Sequence, residues 1–189
     1  MTEQKPSEFS KALYKKLNPI LGVNSKVFSY GDDENLHKIY ILNIIDATDN
    51  NVIFFSTLSL TELAPHNNSF EILITGYQKY EELANVLGTI AFFIIKDKWE
   101  SQIGVVFETL IEQYYPDKNV KHLLFVEPYL WEDKLQDFSI GDRRINFLLA
   151  IPITQAELEY KNTYGHDALE NLLDKKNIDI FDIDRKSTL

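Results

Sequence analysis

Cysteine is absent from the 189 residues of this sequence, and its absence excludes several classes of site. Without cysteine the chain has no disulfide, no thiolate nucleophile and no cysteine-based zinc or iron–sulfur site. A metal ion would have to bind the four scattered histidines and the carboxylates. We therefore expect no metal site.

Glycine is also scarce, with seven residues, and the signatures that depend on it are missing. The sequence contains no Gly-x-Gly-x-x-Gly or Gly-x-Ser-x-Gly pattern, no P-loop and no His-Glu-x-x-His motif. Loops that could cradle a phosphate are correspondingly few. We predict that the chain binds no cofactor and is not an enzyme.

Long apolar runs are missing too. The longest, from Val86 to Ile95, is shorter than the roughly 20 residues that a membrane-spanning helix needs. The N-terminal stretch MTEQKPSEFSKALYKKL is charged and amphipathic and lacks the apolar core of a secretion signal. We expect a cytoplasmic protein that is not associated with membranes.

Basic residues are fewer than acidic ones, and the net charge is therefore −10. Between Glu100 and Asp142 nine Asp and Glu residues stand against three Lys. This charge disfavours nucleic acid, which is bound through clustered Lys and Arg, and it favours a basic protein partner. The alternative is that the acidic residues serve solubility alone.

The first part of the chain predicts a helix and then a β-hairpin. Ser7 precedes Phe9, Leu13, Leu17 and Leu21, a spacing that predicts an N-terminal helix over about 7–21, ended by Pro19 and Gly22. Residues 37–45 and 51–59 are rich in β-branched and aromatic side chains and flank the turn sequence Asp-Ala-Thr-Asp-Asn. These two runs predict a hairpin.

The rest of the chain predicts further strands and helices without an interdomain linker. Residues 70–77 and 121–131 predict strands, the second closed by Pro128, and 143–153 predicts a central strand covered on both faces. We expect a long buried helix over 80–99, an extended segment over 104–116, two short helices separated by Gly165, and an extended C-terminus. The predicted fold is a single α/β (α+β) sandwich over 1–189, with a mixed, largely antiparallel β-sheet flanked by helices.

Two polar groups near the C-terminus have both a structural and a catalytic interpretation. Thr154 and Glu157 have the spacing of a capping box, which predicts a helix start. Asp182 and Asp184 could form a catalytic pair with a histidine, but an ion pair of Arg185 with an Asp, fixing a C-terminal strand, explains the same residues. We favour the structural interpretation.

The histidines and the acidic triplet carry weaker signals. His122 and His166 each have a carboxylate nearby in sequence, and we expect both to be structural. Asp32, Asp33 and Glu34 lack the spacing of a calcium-binding loop and predict a solvated turn. His37 and His66 support no assignment.

The C-terminal third resembles the suppressor-of-fused-like domain. The resemblance rests on HLLFVEP, INFLLAIPITQAELEY and YGHDALENLLDKKNIDIFDIDRKS, and it extends more weakly through FFSTLSL to cover roughly residues 20–187. FFSTLSL lacks the glycine of the family's Thr-x-Gly pattern. The matched residues are Pro128, Pro152, Thr154, Glu157, Gly165, Leu169, Leu172, Ile178, Asp179, Asp182, Asp184 and Arg185.

The resemblance implies a sandwich without catalytic residues or a cofactor. In animals such domains hold a transcription factor, whereas compact bacterial members are similar to immunity proteins (antitoxins) that neutralise a polymorphic toxin, often a nuclease. The expected function is therefore an immunity protein that blocks a cognate toxin by occlusion. The alternative is a non-catalytic scaffold module for an endogenous regulatory protein, and the neighbouring genes would distinguish the two.

Binding by occlusion requires a preformed surface with aromatic anchors and complementary charge. The candidate contact residues are Tyr114, Tyr115, Tyr129, Trp131, Glu132 and Asp133. The alternative for the aromatic members of this set is an ordinary place in the core. The resemblance makes Pro152, Thr154, Glu157, Gly165, Asp182, Asp184 and Arg185 framework residues.

Overall fold

A computed structural model describes residues 5–34, 36–65 and 70–189, with only the main chain at 132 and 133. The strands are β1 (Val23–Gly31), β2 (Lys38–Ile45), β3 (Val52–Thr57), β4 (Phe70–Tyr77), β5 (Val106–Phe107), β6 (Val120–Val126), β7 (Ser139–Ile140), β8 (Arg143–Arg144) and β9 (Asn146–Thr154). The helices are α1 (Glu8–Leu21), α2 (Leu60–Leu63), α3 (Leu83–Asp97), α4 (Leu110–Tyr114), α5 (Gln155–Tyr164) and α6 (His166–Lys175), with a 3₁₀ helix at Tyr129–Lys134. No helix among these described residues is long and apolar enough to cross a bilayer.

Seven strands form one sheet in the order β1-β2-β3-β4-β9-β6-β5, and β7 and β8 form a separate small hairpin. The pairing of β4 with β9 is parallel and the other pairings in the sheet are antiparallel. The mixed, largely antiparallel sheet flanked by helices is thus confirmed. The apolar run over 143–153 is also confirmed as a central strand, because β9 lies between β4 and β6 and is buried along almost its whole length.

Side chains alternate between two covered faces of the sheet. Ile39 and Ile41 of β2 point to the face covered by α3, which we call the α3 face. Tyr40 and Leu42 point to the opposite face, covered by α1, the 3₁₀ helix, α5 and α6, which we call the α1 face. The two hydrophobic cores make the molecule a three-layer sandwich.

Helix α1 forms as its sequence predicts. The Ser7 side chain caps it by accepting a hydrogen bond from the Ser10 amide at 3.0 Å, and Leu13, Leu17 and Leu21 are buried against the sheet. Gly22 ends the helix, but Pro19 lies inside its last turns and does not terminate it. The predicted hairpin and third strand correspond to β2, β3 and β4, and the predicted buried helix corresponds to α3.

Three segments differ from expectation. Residues 104–116 are not extended throughout, because only β5 is a strand and α4 follows after Thr109, which adopts a positive φ of 57°. Strand β1 was not expected, since its residues are largely exposed and show no apolar alternation. The C-terminal segment after α6 forms successive turns instead of a strand.

Candidate functional site

The junction between β9 and α5 is a capping box, as the spacing predicts. The Glu157 amide donates to Thr154 Oγ1 at 3.3 Å, and the Thr154 amide donates to Glu157 Oε2 at 2.9 Å. The two residues therefore satisfy each other's main chain at the start of α5.

Arg185 binds Glu157, which corrects the predicted Arg–Asp pair. Its Nη1 lies 2.7 Å from Glu157 Oε1 and its Nη2 lies 2.8 Å from Oε2, while Nη2 also donates to the Pro152 carbonyl at 2.8 Å. Pro152 is tolerated in this central strand because β4 pairs with β9 only as far as Ala150. The junction is framework that holds the C-terminal segment.

Glu157 remains charged in spite of its complete burial. Burial by itself raises the pKa of this carboxyl, but the hydrogen bonds and charge of Arg185, with the amides of Thr154 and Thr188, outweigh burial and lower it. The Thr188 amide donates to Glu157 Oε1 at 3.1 Å. The chain end is thereby bound to the start of α5.

Asp182 and Asp184 contact different residues on the body of the protein. Asp182 accepts a hydrogen bond from the Tyr80 hydroxyl, and Asp184 accepts one from Lys118 Nζ at 3.0 Å. Asp179, in the same segment, accepts from the Tyr77 hydroxyl at 2.6 Å, a bond that raises the pKa of Tyr77 to about 12. These contacts dock residues 179–184 against the body of the protein, and the described residues contain no cluster of three or more His, Asp or Glu able to hold a metal.

His122 has a structural role, as predicted. Its Nδ1 accepts from the Thr109 amide at 2.9 Å and its Nε2 faces Gln155 Oε1 at 3.0 Å, so the buried ring connects the turn before α4 to α5. His166 Nε2 lies 3.0 Å from Asp167 Oδ1 at the surface. His66 lies outside the described residues.

The acidic triplet is only partly a solvated turn. Asp33 and Glu34 are exposed, but Asp32 is buried and accepts from the Leu36 amide at 2.8 Å and faces His37 Nδ1 at 2.9 Å. The bond to His37 is the main cause that lowers the pKa of Asp32. Asp32 therefore closes the turn between β1 and β2.

A buried carboxylate of β4 is hydrogen-bonded to the FFSTLSL segment. Glu71 of β4 is fully buried and accepts from Thr57 Oγ1 at 2.5 Å, from the Thr61 amide at 3.0 Å and from the Leu60 amide at 3.2 Å. Burial raises the pKa of Glu71 against these hydrogen bonds. The missing glycine requires no strain, since Ser59 before α2 has a negative φ of −148°.

The four aromatic candidate contact residues do not form one surface. Trp131 is a core residue on the α1 face, only 5% exposed, with its ring 5.0 Å from that of Phe54, so it is not available to a partner. Tyr114 and Tyr115 pack on the α3 face, where their hydroxyls contact Thr89 Oγ1 at 2.5 Å and the Glu82 amide at 2.7 Å. The side chains of Glu132 and Asp133 lie outside the described part of the structure.

Among the candidates whose side chains are described, Tyr129 lies at an open surface, with 51% of the residue exposed. It lines two cavities: one of about 420 Å³ shared with α6, and one of about 840 Å³ on the side of Phe147. An exposed aromatic side chain between two depressions is well placed to anchor a partner, because side chains from the partner can fill the space on both sides.

Acidic groups surround Tyr129. Glu170 and Asp174 of α6 line the first cavity and Glu127 lines the second. Partial burial and then the charges of Glu170 and Asp174 raise the pKa of the Tyr129 phenol to about 12, and burial raises the pKa of Glu170. We call Glu127, Tyr129, Glu170 and Asp174 the Tyr129 surface.

Glu170 and Asp174 were not among the predicted contact residues. Their four-residue spacing places both on one side of a helix, which was a usable sequence signal. Nothing in the sequence, however, placed that side of α6 next to Tyr129, about 40 residues earlier in the chain. Arg144, which lines the second cavity, forms an ion pair with Asp137, with 3.2 Å between Nη2 and Oδ1.

Comparison with known proteins gives one family. The family model for suppressor of fused protein (SUFU) matches residues 35–186. The chain is 33% identical over 177 residues to "Immunity protein YqcF" of Bacillus subtilis (strain 168), an alignment that covers 89% of this chain and 91% of that protein.

Two crystal structures show the same fold. A SUFU homologue from Neisseria gonorrhoeae FA 1090 matches with a TM-score of 0.80 at 19% identity, over 96% of this chain and 97% of the other. A chain of the Sufu–Fu complex matches with a TM-score of 0.67 at 15% identity, over 97% of this chain and 93% of the other. The match of the family model, supported by the curated relative and by the fold, shows that this chain belongs to the suppressor of fused family.

Proposed function

We propose that this chain is an immunity protein that binds a cognate protein toxin and neutralises it by covering the surface with which the toxin acts. The observation that carries the proposal is the 33% identity to a protein named as an immunity protein, over 91% of that protein's length. Neutralisation by occlusion needs no catalytic group and no cofactor in this chain, and it acts in proportion to the amount of complex formed.

The Tyr129 surface is the proposed centre of the toxin interface. Tyr129 offers an exposed ring between two cavities, and Glu170 and Asp174 supply negative charge beside it. A Lys or Arg side chain of a basic toxin, for example a nuclease domain, would find carboxylates and an aromatic ring in the first cavity. The geometry therefore favours a basic partner that inserts a long cationic side chain.

Co-expression in cells tests the proposal. The toxin encoded beside this gene is produced with the wild-type chain, with Tyr129→Ala, or with Tyr164→Ala. Tyr164 is the matched control, because it is a tyrosine that is 65% exposed and lies outside the Tyr129 surface. We expect the wild type and Tyr164→Ala to protect and Tyr129→Ala to lose protection while remaining folded, since truncating an aromatic anchor costs about 2 kcal/mol or more of binding.

Two outcomes would contradict parts of this proposal separately. Survival that is unchanged by the wild-type chain would contradict toxin neutralisation and favour the alternative of a scaffold for an endogenous regulatory protein. Full protection by Tyr129→Ala would retain neutralisation but remove Tyr129 from the interface. If the gene for this chain lies next to a gene for a secreted toxin, that position would support neutralisation. A scaffold protein requires no such neighbouring gene.

A further inference from the structure

Strand β1 is an edge of the sheet, and in the described part of the chain some of its main-chain hydrogen-bonding groups have no partner. It pairs with β2 so that Ser29 lies opposite Tyr40. Tyr40 directs its own carbonyl to the Leu58 amide at 2.9 Å and its amide to Ser59 Oγ at 3.2 Å, both on the side away from β1. In an antiparallel pair this geometry means that the amide and carbonyl of Ser29 also point away from β2.

The same alternation applies along the strand. The Asp32 amide donates to the His37 carbonyl at 3.1 Å, so the even-numbered positions of β1 from Lys26 onward face β2. The amides and carbonyls of Val27, Ser29 and Gly31 therefore face outward from the sheet. They form a row that another extended chain could pair with.

The side chains along this edge are more apolar than an edge strand requires. Val27 is 44% exposed and Phe28 is 42% exposed, and they point to opposite faces of the strand. Between β1 and α1 lies a groove of about 220 Å³ whose lining includes Tyr14, Val27 and Tyr40. An incoming strand could place alternate side chains into this groove and over Phe28.

Lysines surround this edge, although the protein as a whole is acidic. We call them the edge lysines: Lys5, Lys11, Lys15, Lys26 and Lys38. Lys11 is paired with Glu8 at 2.6 Å and Lys38 lies over the Tyr40 ring at 5.8 Å. Among the described residues no carboxylate is within ion-pair distance of Lys5, Lys15 or Lys26.

A second copy of the chain is a poor occupant of the edge. Antiparallel pairing of β1 with itself would bring one set of edge lysines against another, and like charges across a strand pair are destabilising. The strand also begins with an irregularity between Val23 and Lys26, where Asn24 has a positive φ of 52°. Such a bulge turns an edge away from self-pairing.

We propose that the β1 edge binds an acidic, extended segment of a protein partner, which joins the sheet as an additional strand beside β1. The outward amides provide the main-chain pairing, the groove and Phe28 accept apolar side chains, and the edge lysines select carboxylates at the remaining positions. The proposal concerns a surface separate from the Tyr129 surface and does not depend on the identity of a toxin.

The experiment uses the whole protein and blocked peptides of alternating sequence. A Glu-Val peptide is compared with a Lys-Val peptide, and single-stranded oligothymidylate tests whether the lysines select nucleic acid. Amide hydrogen exchange is followed by NMR. We expect the Glu-Val peptide alone to bind, to slow exchange at Val27, Ser29 and Gly31 by about tenfold or more, and to bind more weakly as salt rises.

Two variants separate strand pairing from charge. Ser29→Pro removes an outward amide without removing a bond to β2, and we expect it to abolish binding with the fold retained, because proline is tolerated at the solvent side of an edge strand. The triple change Lys15→Gln, Lys26→Gln and Lys38→Gln leaves the strand intact and should weaken binding of the Glu-Val peptide at least tenfold. The matched control, Lys96→Gln, Lys175→Gln and Lys176→Gln, removes the same charge elsewhere and should bind as the wild type does.

Several results would overturn the proposal. They are equal binding of both peptides, binding of the oligonucleotide in place of the peptide, or unchanged exchange at the three outward amides. A further contradictory result would be dimers of the edge-lysine variant together with no detectable peptide binding by the wild type. That result would show that these lysines only prevent self-association.

Discussion

Glu157 and Arg185 form a buried pair whose members depend on each other. Glu157 is fully buried and Arg185 is 8% exposed, and the guanidinium meets both carboxylate oxygens. A charge left alone in such a place costs far more than the intact pair contributes. The pair therefore holds the C-terminal segment in one position and makes that position sensitive to substitution.

Replacing Arg185 tests this dependence. We expect Arg185→Met to lower the free energy of unfolding by about 3–5 kcal/mol, because it leaves the Glu157 carboxylate buried without its partner. Lys118→Met is the control, since the Lys118–Asp184 pair is partly exposed and such pairs contribute about 1 kcal/mol or less. Urea unfolding at pH 7 measures both, and equal losses would show that Arg185 has no special role.

The same pair predicts a pH dependence with a definite sign. In the wild type the folded-state pKa of Glu157 is lowered, so its stabilisation is present above the unfolded pKa of about 4.3 and is lost as pH falls through the lower folded value. In Arg185→Met burial acts without the guanidinium and raises that pKa, so protonation of Glu157 then favours the folded state. We expect the stability difference between the two proteins to shrink as unfolding is measured from pH 7 down to pH 4. A difference that stays constant would contradict this account.

At the scale of elements, the turn from α1 into β1 depends on the absence of a side chain at Gly22. A Cβ there would lie 2.1 Å from the Ile45 carbonyl oxygen, an atom of the main chain that cannot rotate away. This close approach presses the start of the edge strand β1 against the end of β2. The Gly22 contact thus fixes the start of β1 relative to the end of β2.

We accordingly expect Gly22→Ala to lower the free energy of unfolding by about 1–3 kcal/mol, the usual range for forced overpacking. Gly88→Ala is the matched control, because a Cβ in α3 would meet Tyr30 and Ile41 at ordinary distances of 3.5 Å or more. In a helix interior that change should be neutral or stabilising by up to about 1 kcal/mol. Thermal unfolding of both variants checks the pair, and equal behaviour would refute the steric argument.

The elements that the sequence predicts well are those with a strong local period. Helix α1 shows leucines every four residues, and β9 shows a continuous apolar run. Strand β1 and helix α4 were not predicted because contacts with other elements hold them in place. Strand β1 pairs with β2, and the turn before α4 is hydrogen-bonded to His122. A local pattern carries no signal for such contacts.

On the scale of the whole molecule, charge of opposite sign is concentrated at two separate places. Acids gather at the Tyr129 surface and the edge lysines gather at β1, which lies at the far end of the seven-stranded sheet from β5 and β6. The net charge of −10 alone does not reveal this arrangement. A partner with one basic and one acidic region could be oriented by both.

The acidic surface predicts a salt-dependent association rate with a basic toxin. We expect added salt to slow association of the wild type more than it speeds dissociation, because screening acts over about 8 Å at physiological ionic strength. Glu170→Gln with Asp174→Asn should reduce both the rate and its salt dependence, with stability changed by under about 0.5 kcal/mol. Glu132 and Asp133 stay predicted contributors to the same effect.

Stopped-flow association from low to high salt measures this prediction. Asp33→Asn with Glu34→Gln is the matched control, since it removes two exposed carboxylates in the turn beyond β1. A flat wild-type rate would exclude electrostatic steering. A loss of folding in the Glu170 and Asp174 variant would show instead that these acids are structural.

The sequence by itself determined the α/β class with its mixed, largely antiparallel sheet, the central strand, the capping box and the family, because each has a signal within a short window or an ordered succession of such windows. Only the tertiary structure decided that Arg185 binds Glu157, that Trp131 is buried, and that Glu170 and Asp174 lie beside Tyr129. These contacts join residues that are distant in the chain. Their partners are selected by strand order and helix packing, so residue type and spacing leave several partners open until the chain has folded.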